Sequence, residues 1–233
     1  MIDVKDLTFA YEEGRQILEN MSFHIEEGTI VAILGLSGCG KSTLCQILAG
    51  IIPRCISGNL KGSIRLRSED IMSLEMKDLA PKIGYVMQDP DRQLITTAVE
   101  DELAFALENL AKPSEEIRET VHRIMKLLHI ENLAYENPAQ LSGGQKQVVA
   151  IGSILTMDPE VLILDEPMSH LDEMGKKLVG KTMRKLRQRG KTIIVVEHDY
   201  MTMDFADSWL VIEAGKVKAF GSPEEVLKQK VYP

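Results

Sequence analysis

Apolar and polar residues alternate near the start of the chain. Ile2, Val4 and Leu7, and then Met21 to Ile25, repeat with a period of two, which predicts strands. Ile30 to Leu34 is apolar throughout, as a buried strand would be, and runs directly into glycine. Gly35 to Gly40 reads as a loop, and Lys41 to Gly50 as a helix with Leu44, Ile47 and Leu48 on one face and Gly50 ending it. Strand, glycine loop and helix make one half of a parallel α/β unit.

Short strands are predicted at Ile64 to Leu66 and Ile83 to Met87. Residues 98–111 and 114–128 then take a helical period. Ile117, Val121, Ile124 and Leu128 recur on one face, Ser114 is the candidate cap, and Glu115 and Glu116 suit the positive end of the helix dipole. This block reads as an all-helical insertion. The α/β pattern resumes with the strand Val161 to Leu164, a helix around Glu173 to Arg189, and the strand Thr192 to Val196. A hairpin is predicted from Trp209 to Ile212 through Ala214-Gly215 to Val217 to Phe220, and Ser222-Pro223-Glu224-Glu225 opens a last helix with a capping box. The chain shows no internal repeat or low-complexity tract.

At 233 residues, 44% of them hydrophobic and 27% charged, the chain can bury a sizeable core as one large domain or two small ones. Its 27 Lys and Arg against 35 Asp and Glu give a net charge of −8. That balance argues against nucleic acid as a partner, because phosphate neutralisation needs clustered cations. No apolar run approaches the roughly 20 residues that cross a bilayer. Met1 to Tyr11, with Asp3, Lys5 and Asp6, has no signal-peptide pattern, so a cytoplasmic chain is expected. Cys39, Cys45 and Cys55 are odd in number and lack zinc spacing, which suits a reducing compartment.

The chemistry begins at Gly35-Leu36-Ser37-Gly38-Cys39-Gly40-Lys41-Ser42, followed by Thr43. Two glycines with four residues between them, then Lys and Ser, form a phosphate-binding loop. Backbone N–H groups turn inward, the helix end adds positive potential, Lys41 reaches the outer phosphates and Ser42 offers a hydroxyl to magnesium. Cys39 in this loop reads first as a small tolerated residue; the sharper alternative is a thiolate favoured by the helix N-terminus, whose alkylation would block nucleotide binding and which bound ATP would protect. Val161-Leu162-Ile163-Leu164-Asp165-Glu166 supplies the acidic partners: Asp165 for the metal and Glu166 as general base toward water. Leu141-Ser142-Gly143-Gly144-Gln145 is a second glycine-rich helix start, with no lysine. Two incomplete anion sites on one chain suggest two copies head to tail, each Ser142 end completing its partner's nucleotide site.

Taken together these residues resemble an ATP-binding-cassette (ABC) ATPase over essentially the whole chain, and Leu141 to Gln145 matches that family's signature motif. The resemblance implies an α/β P-loop NTPase (RecA-like) core with an N-terminal antiparallel β subdomain and an inserted α-helical subdomain. It is expected as one ABC ATPase domain over 1–233, with the core at 1–88 and 156–233 and the helical subdomain with its signature at 89–155. It also implies that Tyr11 stacks on adenine and that Gln88 senses magnesium and the attacking water. By the same resemblance His198 is a switch on the γ-phosphate, and Ser169-His170-Leu171-Asp172 a loop that crosses the dimer, with no catalytic part for His170. ATP and Mg2+ are the implied cofactors, with Ser42, Gln88 and Asp165 on the metal, Glu166, His198, Gln88 and Lys41 in catalysis, and Ser142, Gly143, Gly144 and Gln145 on the nucleotide across the pair.

Gln88-Asp89-Pro90-Asp91-Arg92-Gln93-Leu94 and Val99 to Leu110 resemble the ATPases of energy-coupling-factor importers for vitamins and for cobalt or nickel. That resemblance implies a peripheral subunit on the cytoplasmic face of the membrane. Its implied partners are a second ABC ATPase, identical or not, an integral membrane coupling component and a substrate-binding membrane component. Many members carry a tail beyond the core that helps two ATPases associate, whereas this chain stops at Pro233, so weak pairing without nucleotide is expected. The rival reading is a soluble ABC ATPase of DNA repair, chromosome structure or translation. Such proteins usually carry coiled-coil arms, zinc modules or paired cassettes, for which the chain offers no long heptad run and no zinc-spaced cysteines. A binding-only cassette is the third reading, and it sits poorly with the presence of Lys41, Asp165, Glu166 and His198.

Overall fold

The computed structural model of the chain describes residues 1–229 other than Glu13, His170 and Asp199. The early alternating segments form β1 (Ile2–Ala10) and β2 (Gln16–Ile25), and the apolar run forms β3 (Ile30–Leu34). After the glycine loop come α1 (Lys41–Leu48) and a short helical turn, α2 (Ile51–Arg54). Strands β4 (Asn59–Leu66) and β5 (Glu69–Asp70), the short α3 (Met76–Leu79) and β6 (Ile83–Val86) follow. Strand β4 starts five residues before the expected Ile64, because Leu60 and Lys61 pair with Phe9 and Thr8 of β1.

Three helices fill the middle of the chain: α4 (Val99–Asn109), α5 (Ser114–Leu128) and α6 (Gly143–Leu155). Ser114 does not cap α5 as expected. Pro113 occupies the N-cap with no side-chain bond, and Ser114 is the first helical residue. The chain then forms β7 (Val161–Asp165), α7 (Glu173–Gln188), β8 (Thr192–Glu197), the hairpin β9 (Ser208–Glu213) and β10 (Lys216–Gly221), and α8 (Pro223–Lys228). Ala214 and Gly215 both take positive φ, 47° and 78°, the geometry that a two-residue hairpin turn demands. The capping box of Ser222 and Glu225 opens α8.

Two sheets result. One is antiparallel in the order β2-β1-β4-β5, and the other runs β10-β9-β3-β8-β7-β6, parallel except for β10 at its edge. The central strands show why continuous apolar runs were needed. Ile30, Ala32 and Leu34 of β3 face one core, shared with α4, α5, α6 and α7, while Val31 and Ile33 face the other, shared with α1 and the antiparallel sheet. Each fully buried Leu, Ile or Val removed from water contributes about 1.5–3 kcal/mol, so two cores on one sheet fix its faces firmly. Because β3, β7 and β8 are parallel neighbours, their C-terminal ends lie together. Ligands bind beyond such ends in open α/β sheets.

Candidate active site

The loop leaving β3 reaches α1 through Gly40, whose φ of +108° suits only glycine and where an added Cβ would meet Leu18 Cδ2 at 2.6 Å. Helix α1 has no side-chain cap and no acidic residue in its first turn, so its leading N–H groups remain for an anion. Leu36, Ser37 and Gly38 are exposed, and Gly35 and Cys39 are half-buried. The Lys41 side chain, only 4% exposed, folds back over this loop. Its Nζ donates to the carbonyls of Gly35 (2.8 Å) and Leu36 (3.0 Å) and stands 3.4 Å from Nδ1 of His198. Tyr11 reaches the same helix: its hydroxyl is 3.3 Å from Oγ1 of Thr43, and its ring meets Phe9 edge-on with centroids 4.9 Å apart.

Opposite the loop, Asp165 ends β7. Its Oδ1 accepts from the Ser42 hydroxyl at 3.1 Å and its Oδ2 from Tyr85 at 2.8 Å. Burial pushes the Asp165 carboxyl up, and these two hydrogen bonds pull it back down. Burial and the facing carboxylate raise the Tyr85 phenol well above its ordinary value, which keeps it a donor. The adjacent Glu166 takes φ +49°, uncommon for a residue with a Cβ, and its N–H donates to Val196 of β8. That turn aims the Glu166 carboxylate between two partners. Gln88 Nε2 donates to Oε2 at 2.6 Å, and His198 Nε2 lies 2.5 Å from Oε1. Ser42, Gln88 and Asp165 present hydroxyl, amide and carboxylate oxygens, the hard donors that suit magnesium. Among the described residues no group of three or more His, Cys, Asp and Glu could hold a metal alone. The donor set therefore fits an ion that completes its shell with phosphate oxygens and water.

The second glycine-rich segment forms a capping box. Gln145 N–H donates to Ser142 Oγ at 3.4 Å, and Ser142 N–H donates to Gln145 Oε1 at 3.0 Å. Ser142 and Gly143 are exposed. A hydroxyl that accepts the cap still has its proton to donate, so capping does not use Ser142 up. Among the described residues no hydrogen bond joins Ser142–Gln145 to the P-loop of the same chain. A cleft of about 870 Å³ is lined by Ser42, Gln88 and Asp165 together with Gly143, Lys146 and Gln147. Gln147 is 2% exposed, and its Nε2 is the buried side-chain nitrogen among the described residues that lacks a partner.

Of the two readings of Cys39, the thiolate is overturned. Burial raises the Cys39 thiol above its ordinary value, and nearby Lys41 does not offset this, so the residue is not a thiolate. Its sulfur lies against Gly35, where an added Cβ would meet it at 2.7 Å. His170 lies outside the described residues. Three side chains that shape the site were not singled out in the sequence. Tyr85 holds Asp165. Glu197, 6% exposed, accepts from the Met168 N–H at 2.9 Å and is raised by burial to about 7. Glu102, 4% exposed, accepts through Oε2 from the N–H groups of Ile95 and Thr96 and from the Thr96 hydroxyl, which ties down the segment leading into α4. Tyr85 sits three residues before Gln88 on an adjoining strand, and Glu197 directly precedes His198, so position beside a motif was the available signal.

A glycine loop between a buried strand and a helix, facing an acidic strand end on a parallel sheet, defines a P-loop ATPase fold. The family profile described as "ABC transporter" matches residues 18–169. The chain belongs to the ABC transporter family, as an ATP-binding cassette. It is 38% identical over 229 residues to the energy-coupling factor transporter ATP-binding protein EcfA1 of Fusobacterium nucleatum, covering 98% of this chain and 84% of that one. A protein of Caldanaerobacter subterraneus, provisionally named an ABC transporter ATP-binding protein, is 40% identical over 98% of this chain. The chain spans 41% of that protein's length, and 52% of that of a Clostridium tetani relative. Among solved structures, cbiO1 from Clostridium perfringens, described as part of the ABC transporter complex cbiONQ, superposes with a TM-score of 0.89 at 36% identity, covering 98% of this chain and 91% of the other. The dimeric cassette MJ0796 bound to ADP and Pi superposes with a TM-score of 0.81 at 28% identity, covering 95% of this chain and 98% of the other.

Proposed function

We propose that this chain is the ATP-hydrolysing subunit of an importer of the energy-coupling-factor class, working as a head-to-tail pair on the cytoplasmic face of a membrane. Its membrane partners would be a coupling component and a substrate-binding component. The observation that supports the chemistry best is the convergence of Gln88 and His198 on the two carboxylate oxygens of Glu166, at 2.6 Å and 2.5 Å, beside the Ser42–Asp165 contact. The likeness to EcfA1 and to cbiO1 favours the importer class over a soluble ABC ATPase. Among the described residues no helix is long and apolar enough to cross a membrane, in keeping with attachment through partners.

In this reading ATP enters with Tyr11 on its adenine and its phosphates on the backbone N–H groups from Gly35 to Thr43. Lys41 exchanges the carbonyls of Gly35 and Leu36 for phosphate oxygens, trading neutral acceptors for charged ones. Magnesium, held by Ser42 and Asp165 with Gln88 beside it, would neutralise phosphate charge. Ser142 to Gln145 of a second copy close over the γ-phosphate, since this chain's own copy does not bond its own P-loop. Glu166 then takes the proton of the attacking water, positioned by Gln88 and His198, and Lys41 and His198 stabilise the transferring charge. Release of products reopens the pair, and the difference in ATP affinity between closed and open states supplies the pull on the membrane partner.

The test mixes a subunit carrying Ser142→Ala with one carrying Lys41→Ala. Each homodimer has two damaged pockets, whereas the mixed dimer has one intact pocket and should regain ATPase activity. Absence of rescue despite demonstrated pairing, or full turnover by monomers, would remove the reading. Purification of the chain from membranes with its associated subunits tests the importer class.

A further inference from the structure

Two contacts outside the reacting groups join the ends of the site. At the tip of β8 consecutive side chains take different partners: His198 meets the carboxylate of Glu166, and Glu197 accepts the backbone N–H of Met168, two residues beyond Glu166. Ser169 closes the intervening turn by donating, through both N–H and hydroxyl, to the Glu166 carbonyl. From Met168 the chain passes through Leu171 to Asp172, which caps α7 by accepting from the Gly175 N–H at 2.7 Å. There α7 meets α6. A Cβ added to Gly144 would lie 2.8 Å from the Gly175 Cα, and one added to Gly143 would lie 3.2 Å from Leu171. The backbones of the two helices thus touch, with no side chain between them to absorb a displacement.

We propose that Glu197 and Gly175 are positioning residues that couple the two nucleotide pockets of the pair. The strand tip that carries His198 in one pocket is tied through Met168, Leu171 and Gly175 to the Gly143–Gly144 end that closes the partner's pocket. The proposal rests on the shared-pocket reading above. The physical warrant is continuity. A shift of the β8 tip moves the Met168 backbone through a hydrogen bond, and a shift of α7 moves α6 through direct backbone contact. Burial of Glu197 strengthens the first link, because a buried N–H that loses its acceptor finds no water in exchange. Neither residue is among those assigned to the phosphates, so losing either should spare ATP binding and affect the communication between sites.

The experiment measures ATPase rate against ATP concentration, and ATP binding by calorimetry, for the full chain with Glu197→Ala, Glu197→Gln and Gly175→Ala. Thermal melts of each variant check that it is folded. A pair of coupled sites has a Hill coefficient bounded by about 2, and uncoupled sites give about 1. The wild type should be cooperative. Glu197→Ala and Gly175→Ala should fall to about 1 with ATP affinity changed by less than about 3-fold, while Glu197→Gln, whose amide oxygen can accept the same N–H, should keep cooperativity. Cooperativity retained in both Glu197→Ala and Gly175→Ala overturns the coupling, and so does equal loss in Glu197→Gln and Glu197→Ala. If Glu197→Ala does not fold, Gly175→Ala and Glu197→Gln decide the matter. Rescue in the Ser142/Lys41 mixture with a non-cooperative wild type defeats the coupling alone, whereas absence of rescue defeats the shared-pocket reading beneath it.

Discussion

Nε2 of His198 lies 2.5 Å from Oε1 of Glu166, while the other oxygen of the same carboxylate takes a hydrogen bond from Gln88 at 2.6 Å. Both oxygens of the candidate base are thus engaged before any substrate arrives, and the orientation is set by two independent donors. Glu166→Gln keeps the shape and removes the basicity. Turnover should fall by roughly 10²- to 10⁴-fold, with ATP binding intact and the closed dimer accumulating. Single-turnover hydrolysis and gel filtration with ATP check this, and near-normal hydrolysis would reassign the base.

Lys41 presents a different balance. In this arrangement its ammonium is satisfied by two neutral carbonyls and removed from water. Charged acceptors form hydrogen bonds about twice as strong as neutral ones, so phosphate should win the lysine from the loop. Lys41→Ala should weaken ATP binding by about 10-fold or more, with a smaller loss for ADP, which lacks the outermost phosphate. Calorimetric titration of both nucleotides distinguishes this from a general collapse of the loop, in which both losses would be equal.

The strands of the central sheet were legible because continuous apolar runs such as Ile30 to Leu34 and Val161 to Leu164 have few other uses in a chain of this composition. The glycine loop was legible because its backbone geometry requires particular residues. The interactions that finish the site were not. Tyr85 and Glu197 look, in sequence, like one more strand aromatic and one more carboxylate. Their meaning comes from β7 pairing with both β6 and β8, partners far apart in the chain, as Ile83 opposite Val161 shows. The thiolate alternative for Cys39 fails for a related reason. Helix position alone predicts a thiolate, but desolvation, which depends on how the loop packs over Gly35, outweighs it.

That correction has its own consequence. Cys55 is exposed, Cys39 is half-buried with a raised thiol, and Cys45 is fully buried with its thiol raised further. A thiol reagent at neutral pH should therefore modify Cys55 first, Cys39 slowly and Cys45 only on unfolding. Peptide mass spectrometry over a time course reads the order. Modification of Cys39 ahead of Cys55 would restore the thiolate expectation.

Gln147, which lines the cleft, leaves a buried amide nitrogen unpaired. An unsatisfied buried donor costs about 1–3 kcal/mol, so Gln147→Met, which fills similar volume without the donor, should raise the melting temperature of the isolated chain. If a segment of a membrane partner satisfies that donor, the same variant should copurify with its partners less well. A variant that is no more stable than wild type would mean that the amide already has a partner.

Glu197 carries a pH signature whose sign follows from its burial. Its carboxyl is raised from an ordinary value of 4.5 to about 7, with burial as the main cause, Glu166 adding to it, and the Met168 N–H and Lys176 opposing. Between those values the folded chain holds a proton that the unfolded chain has released, so this group's contribution to stability falls as pH rises from about 4.5 to 7 and stays low above that. Glu197→Gln removes the ionisation and keeps an acceptor for Met168. Its advantage over wild type should be near zero at about pH 4 and below and grow through pH 7 to about 2–3 kcal/mol. Denaturant unfolding of both proteins at several pH values measures the difference, which also cancels the titration of every group the two chains share. A gap that is flat with pH would mean that the carboxyl titrates normally despite its burial. A gap that shrinks as pH rises would mean that the ionised form is the one the fold stabilises, with the Met168 N–H and Lys176 outweighing desolvation.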